Sequence, residues 1–119
     1  MACPEPLAEP VIVGLPAEID IANAAGVGQR LCAAFASRVT MVIADLTSTV
    51  FCDSSGVSQL VLAHHCAAAH NAQLRLVVPY PNVLQVLTVV GLDRMLPVYP
   101  TLDAALSAAP GPGPGASRS

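Results

Sequence analysis

Lysine is absent from the chain, and its cations besides three histidines are five scattered arginines. Eight acidic residues set against them leave a formal net charge of -3 and a pI near 5.3. No basic cluster exists to neutralise phosphates, which argues against direct binding of nucleic acid. Charged residues of either sign make up only 11 % of the chain, so the surface should be sparsely charged. Also missing are a basic N-terminal region and any unbroken apolar run near the roughly 18 residues that span a bilayer. Neither a signal peptide nor a membrane helix is expected, and the expected location is cytoplasmic. The four cysteines, Cys3, Cys32, Cys52 and Cys66, form no CxxC or other short spacing of zinc or redox sites. In a reducing cytoplasm they are expected as free thiols, with Cys52 and Cys66 the candidates for a redox role. No GxSxG elbow is present, so a serine nucleophile has little support and no enzymatic activity is expected.

What the chain does hold is apolar residues, 54 % of its 119 positions, enough for one domain with one core. Residues 1–9 are proline-rich and read as an extended arm; 110–119 (PGPGPGASRS) read as a disordered tail; 10–109 remain as the folded domain. Val11 to Leu15 reads as a short edge or bulged strand between Pro10 and Pro16. A helix is predicted over Asn23 to Ser37, with Ala24, Val27, Leu31, Ala34 and Phe35 at helical spacing. Met41 to Ala44 is apolar on consecutive positions, as in a strand covered on both faces. A second helix should run from Ser54 to near Asn71, which can supply a left-handed cap. A strand from Gln73 to Val78, a helix through Val83, Leu84, Leu87 and Val90 stopped by Gly91, an extended segment from Leu96 to Tyr99 and a helix capped by Thr101 follow. Such alternation predicts an α/β fold, a mixed, mostly parallel sheet of about four or five strands with helices packed on it.

The sharpest local signal is Asp53-Ser54-Ser55-Gly56, which opens the second helix. Asp, Ser and Gly are common wherever a helix starts, so capping alone explains them. The same place accepts added negative charge, because unpaired N–H groups and the helix dipole point at it. A phosphate on either hydroxyl fits there, adding about 1.5 to 2 negative charges. Along the helix, Ser55, Ser58, Gln59, Leu62, Cys66 and Ala69 form an uncharged second face at about 100° per residue, which suggests protein contact. His64, His65, Cys66 and His70 lie close in sequence, but the spacing puts His64 and His65 on different sides of the helix, so no metal site is expected. Glu18 and Asp20 more plausibly cap a helix and shape a loop than act as a catalytic pair.

Taken in order, Ala17-Glu18-Ile19-Asp20, Val42 to Leu46, Phe51-Cys52-Asp53-Ser54-Ser55-Gly56-Val57 and Gly91 to Val98 (GLDRMLPV) resemble the STAS domains of bacterial anti-sigma factor antagonists. The likeness runs from about Val11 to Leu106. Ala17 stands where the family usually has Gly, Asn71-Ala72 where a Gly pair is common, and the segment before Val11 is shorter than the usual pair of opening strands. The resemblance implies that Ser54, with Ser55 as the fallback, is phosphorylated by a cognate anti-sigma factor carrying a GHKL-type kinase domain. It implies that the unphosphorylated form binds that partner and frees a sigma factor, and that a PP2C-type phosphatase restores it. Asp53 matches the acid beside the phosphosite, and Glu18 and Asp20 match loop acids near the partner surface. Together with the helix face, the expected partner-binding residues are Glu18, Asp20, Asp53, Ser55, Ser58, Gln59 and Leu62. No cofactor is expected, ATP belonging to the kinase. The alternative is a STAS scaffold or sensor answering a ligand or cysteine redox state without phosphorylation.

Overall fold

A computed structural model describes residues 10–36 and 39–108; the expected arm and tail lie outside the described residues. Four strands form the main sheet in the order β1-β3-β5-β6, namely β1 (Val11–Gly14), β3 (Met41–Asp45), β5 (Gln73–Val77) and β6 (Val98–Tyr99). A second, two-stranded ladder joins β2 (Glu18–Ile19) to β4 (Phe51–Cys52). Every ladder among the described strands is parallel, where a mixed sheet was expected. The helices are α1 (Ala24–Ala34), α2 (Ser54–Ala69), α3 (Pro81–Val89), α4 (Leu92–Met95) and α5 (Leu102–Ser107). The fold is α/β, and β1 lies at the sheet edge as its flanking prolines require.

Alternation along the strands divides the core between the two sheet faces. Val13, Val42, Ala44, Leu74 and Leu76 point to one side, where they meet Val27 and Leu31 of α1 and Leu60, Ala63 and Ala67 of α2. Ile43 and Val77 point to the other side, which α5 covers through Ala105. That cover is partial: Ile12, in register with Ile43, stays 44 % exposed. Arg75 occupies the same row and is buried, an unusual place for a charge. Its guanidinium donates to the carbonyls of Ala105 and Ala108 (3.1 Å) at the end of α5 and to Gln73 Oε1 (3.0 Å), and lies 5.6 Å from the Tyr99 ring centre. Unpaired C-terminal carbonyls and a buried cation thereby satisfy each other.

The helix ends follow local chemistry. Asn71 adopts φ 55°, and the Ala72 N–H reaches the Ala67 carbonyl (2.8 Å) while that of Asn71 reaches Ala68 (3.2 Å). This paired closure is the Schellman motif, and Asn tolerates the left-handed backbone it needs. Gly91, at φ 84°, ends α3 in the same region and leads into the short α4, where an extended segment follows only from Leu96. By contrast α1 is weak by its own sequence. Gly26 and Gly28 each cost about 1 kcal/mol relative to Ala in a helix interior. No side chain caps its start, and neither its first nor its last turn carries a complementary charge. It stops at Ala34, short of the expected Ser37, and depends on packing.

Candidate functional site

The start of α2 is built by β4 and β2 together. Asp53 donates its N–H to the Ile19 carbonyl (3.1 Å), which extends the β2–β4 ladder up to the helix cap. Its backbone is extended (φ -97°, ψ -173°), and its Oδ1 accepts from the N–H groups of Ser55 (2.8 Å) and Gly56 (3.3 Å). Two of the orphan donors of the first turn are thus occupied by the carboxylate. Gly56 presses against the ladder: a Cβ there would lie 2.6 Å from both Cys52 Sγ and Ile19 Cγ2. Only a residue without a side chain lets α2 start this close to β2 and β4.

Of the two hydroxyl-bearing residues in this turn, Ser54 is exposed and Ser55 is half-buried. Apolar side chains are exposed on the segments next to the β2–β4 ladder. Phe51, opposite Glu18 in the ladder, is 48 % exposed; Val50 is 47 % exposed; Ile21, in the loop leaving β2, is 83 % exposed. Asn82 at the start of α3 donates to the Val50 carbonyl (2.8 Å) and holds that edge in place. Glu18 is exposed, whereas the carboxylate of Asp20 turns inward to accept from the Ala22 N–H (2.9 Å). These exposed apolar residues were not anticipated. The available signal was that Ile21 and Val50 fall in loops, where an isoleucine or valine has no core to enter.

The outward stripe of α2 is rotated from the expected one. Ser54, Ser58, Leu62, His65 and Ala69 are exposed, Leu62 to 51 %. Gln59, expected on the contact face, lies instead over Gly28 of α1, whose absent side chain makes room for it. Cys66, expected on the same face as a free thiol, is joined to Cys32 of α1 in a disulfide with Cα atoms 5.7 Å apart. The expectation of four free thiols is therefore corrected: helix packing brings together two cysteines 34 positions apart, which no short spacing reveals. Cys52 is free but buried, and burial followed by the neighbouring Asp53 charge pushes its thiol up to about 11. It is a packing residue and a poor redox site.

His64 is half-buried beside a cavity of about 20 Å³ lined by Leu74, Met95 and Leu96. Burial, and then the nearby His65, lower its pKa below the ordinary value of 6.5. Among the described residues no group of three His, Cys, Asp or Glu is placed to hold a metal ion, and no helix is long and apolar enough to cross a membrane.

A parallel sheet with helices on both faces, and an exposed serine at the start of a carboxylate-capped helix, define a small α/β domain of the kind seen in anti-sigma factor antagonists. The chain belongs to the STAS domain family, whose family model matches residues 5–105. Comparison with curated proteins returns no match. Among solved structures, it is similar to an anti-sigma factor antagonist from Mycobacterium paratuberculosis at 27 % identity and a TM-score of 0.76, with 87 % of each chain covered. The fold is shared with the anti-sigma factor antagonist SpoIIAA in its unphosphorylated form (19 % identity, TM-score 0.63, 86 % of this chain and 89 % of that one). It is shared equally with the phosphorylated form of the Bacillus cell fate determinant SpoIIAA (24 % identity, TM-score 0.62, 83 % and 89 % covered).

Proposed function

We propose that the protein is a non-enzymatic anti-sigma factor antagonist, active in the cytoplasm, whose grip on an anti-sigma factor is switched by phosphorylation of Ser54. The observation that carries this reading is Ser54, exposed at the first position of the carboxylate-capped helix α2. On docking, the exposed Leu62, on the same face of α2 as Ser54 and Ser58, supplies apolar area, and the exposed Glu18 supplies a charge. Similarity to the Mycobacterium paratuberculosis antagonist supports an anti-sigma factor as the partner. The kinase is then a GHKL-type domain of that partner, and a PP2C-type phosphatase reverses the modification.

The cap explains how one phosphate acts. Asp53 already occupies the N–H groups of Ser55 and Gly56, so a Ser54 phosphate finds those donors taken and stands next to a carboxylate. It projects from the surface instead of folding into it. In a docked interface such a charge is desolvated against the partner, at a cost of several kcal/mol. Since each 1.4 kcal/mol is tenfold in affinity, Ser54→Glu should weaken binding by roughly 100-fold, and Ser54→Ala should leave it near wild type. The test is titration of the purified anti-sigma factor against the three chains, with mapping of the residue labelled by ATP and kinase. Equal affinity of Ser54→Glu and wild type refutes the switch, and label confined to Ser55 moves it by one residue.

A further inference from the structure

The disulfide between Cys32 and Cys66 lies at the far end of α2 from Ser54, about 18 Å along the helix at 1.5 Å per residue. Both cysteines are half-buried, so solvent and small thiols reach them. Between the two helices they join, Gln59 of α2 lies over Gly28 of α1, about one turn before Cys32 and about two turns before Cys66. The two helices are also unequal. α2 has 16 residues, a carboxylate cap and a Schellman closure, whereas α1 has 11 residues, two glycines in its interior and no capping side chain. Cys32 sits in the last turn of α1, so the covalent tie falls on the end of the weaker helix.

We infer that Cys32 and Cys66 form a reversible dithiol–disulfide pair, set by low-molecular-weight thiols and disulfides, that fastens the end of α1 to α2. One thiolate attacks a glutathione-type disulfide and releases one thiol as a mixed disulfide forms. The second protein thiolate then displaces the other glutathione as thiol. The protein loses two electrons and two protons overall, and the small disulfide is reduced to two thiols. With the tie open, the last turn of α1 keeps Leu31 and Phe35 in the core but loses its covalent tie to α2, and opens more often. The pair acts independently of Ser54, so the two readings stand or fall separately.

The test uses the full chain carrying Cys3→Ser, which removes the cysteine outside the described residues. Under native conditions it is exposed to glutathione disulfide or to dithiothreitol, alkylated, and mapped by peptide mass spectrometry alongside amide hydrogen exchange. Glutathione disulfide should yield a linked Cys32–Cys66 peptide pair, and dithiothreitol should yield label on both. Reduction should speed exchange at Leu31 to Ala34 by roughly tenfold and affect the first turn of α2 less. A chain with Cys32→Ser and Cys66→Ser should exchange as the reduced protein does. A bond that survives dithiothreitol, free thiols after glutathione disulfide, or identical exchange in the two states overturns the inference.

Discussion

Replacing Gly56 by alanine sets two physical effects of similar size against each other. In an open helix interior the change is favourable, by up to about 1 kcal/mol, because alanine loses less backbone entropy on folding. At Gly56 the new Cβ would lie 2.6 Å from Cys52 Sγ and 2.6 Å from Ile19 Cγ2. Those neighbours are 3 % and 0 % exposed, so neither can swing into solvent. Overpacking of this kind costs typically about 1 to 3 kcal/mol, and at a helix start the propensity gain is smaller than in the interior. The clash wins, and Gly56→Ala should destabilise by about 1 to 2 kcal/mol. For a domain of this size that lowers Tm by roughly 5 to 15 °C. Gly26→Ala is the matched control, since a Cβ there meets nothing within 4 Å. Like Gly56 it is the third residue of its helix, so it should stabilise, by less than the interior gain of about 1 kcal/mol. Urea unfolding read by circular dichroism, with unchanged slope, separates the two. Adding Cys52→Ala removes one of the two clashing atoms, so the Cys52→Ala, Gly56→Ala pair should cost less than the sum of the singles. If Gly56→Ala stabilises as Gly26→Ala does, α2 does not press on the β2–β4 ladder as described.

Other perturbations probe the same end of the molecule. Asp53→Ala should lower stability by about 1 kcal/mol through loss of the cap, while Asp53→Asn, an equally good capping residue, should stay within a few tenths, both read from urea midpoints. Cys52, its thiol pushed up to about 11 by burial and by Asp53, should resist iodoacetamide at pH 8 in the folded protein and react once urea exposes it. His64, held below 6.5 by burial and by His65, leaves the folded chain with fewer bound protons than the unfolded chain as the pH drops below that value. Its contribution is present above pH 6.5 and is lost as the pH falls, so His64→Gln should flatten the acid side of the stability profile.

The proposed switch at Ser54 would act through the helix cap. An exposed Ser54 and a cap that has already used the nearest backbone donors favour a charge that blocks docking over one that rearranges the helix. The β2–β4 ladder is what holds these parts together. Glu18 and Phe51 share one rung, Ile19 and Cys52 the next, and the Asp53 N–H continues the line on Ile19.

The features legible in the chain itself are those that depend on neighbours a few residues away. Apolar spacing located β1, β3, β5 and β6 and the helices apart from α4, but not the two-residue strands β2 and β4, since periodicities of two and 3.6 are local properties that a pair of residues cannot display. Asp53 and Thr101 as caps, Asn71 as a left-handed closure and Gly91 as a stop were readable because each acts on backbone within one turn of itself. Tertiary structure alone decided what joins distant positions. It paired Glu18–Ile19 with Phe51–Cys52, laid Gln59 on Gly28, bonded Cys32 to Cys66, and buried Arg75 under the end of α5. It also left Ile21, Val50 and Phe51 facing solvent. Each of these depends on which elements lie side by side, and the local pattern of a single stretch carries no record of its neighbours in space.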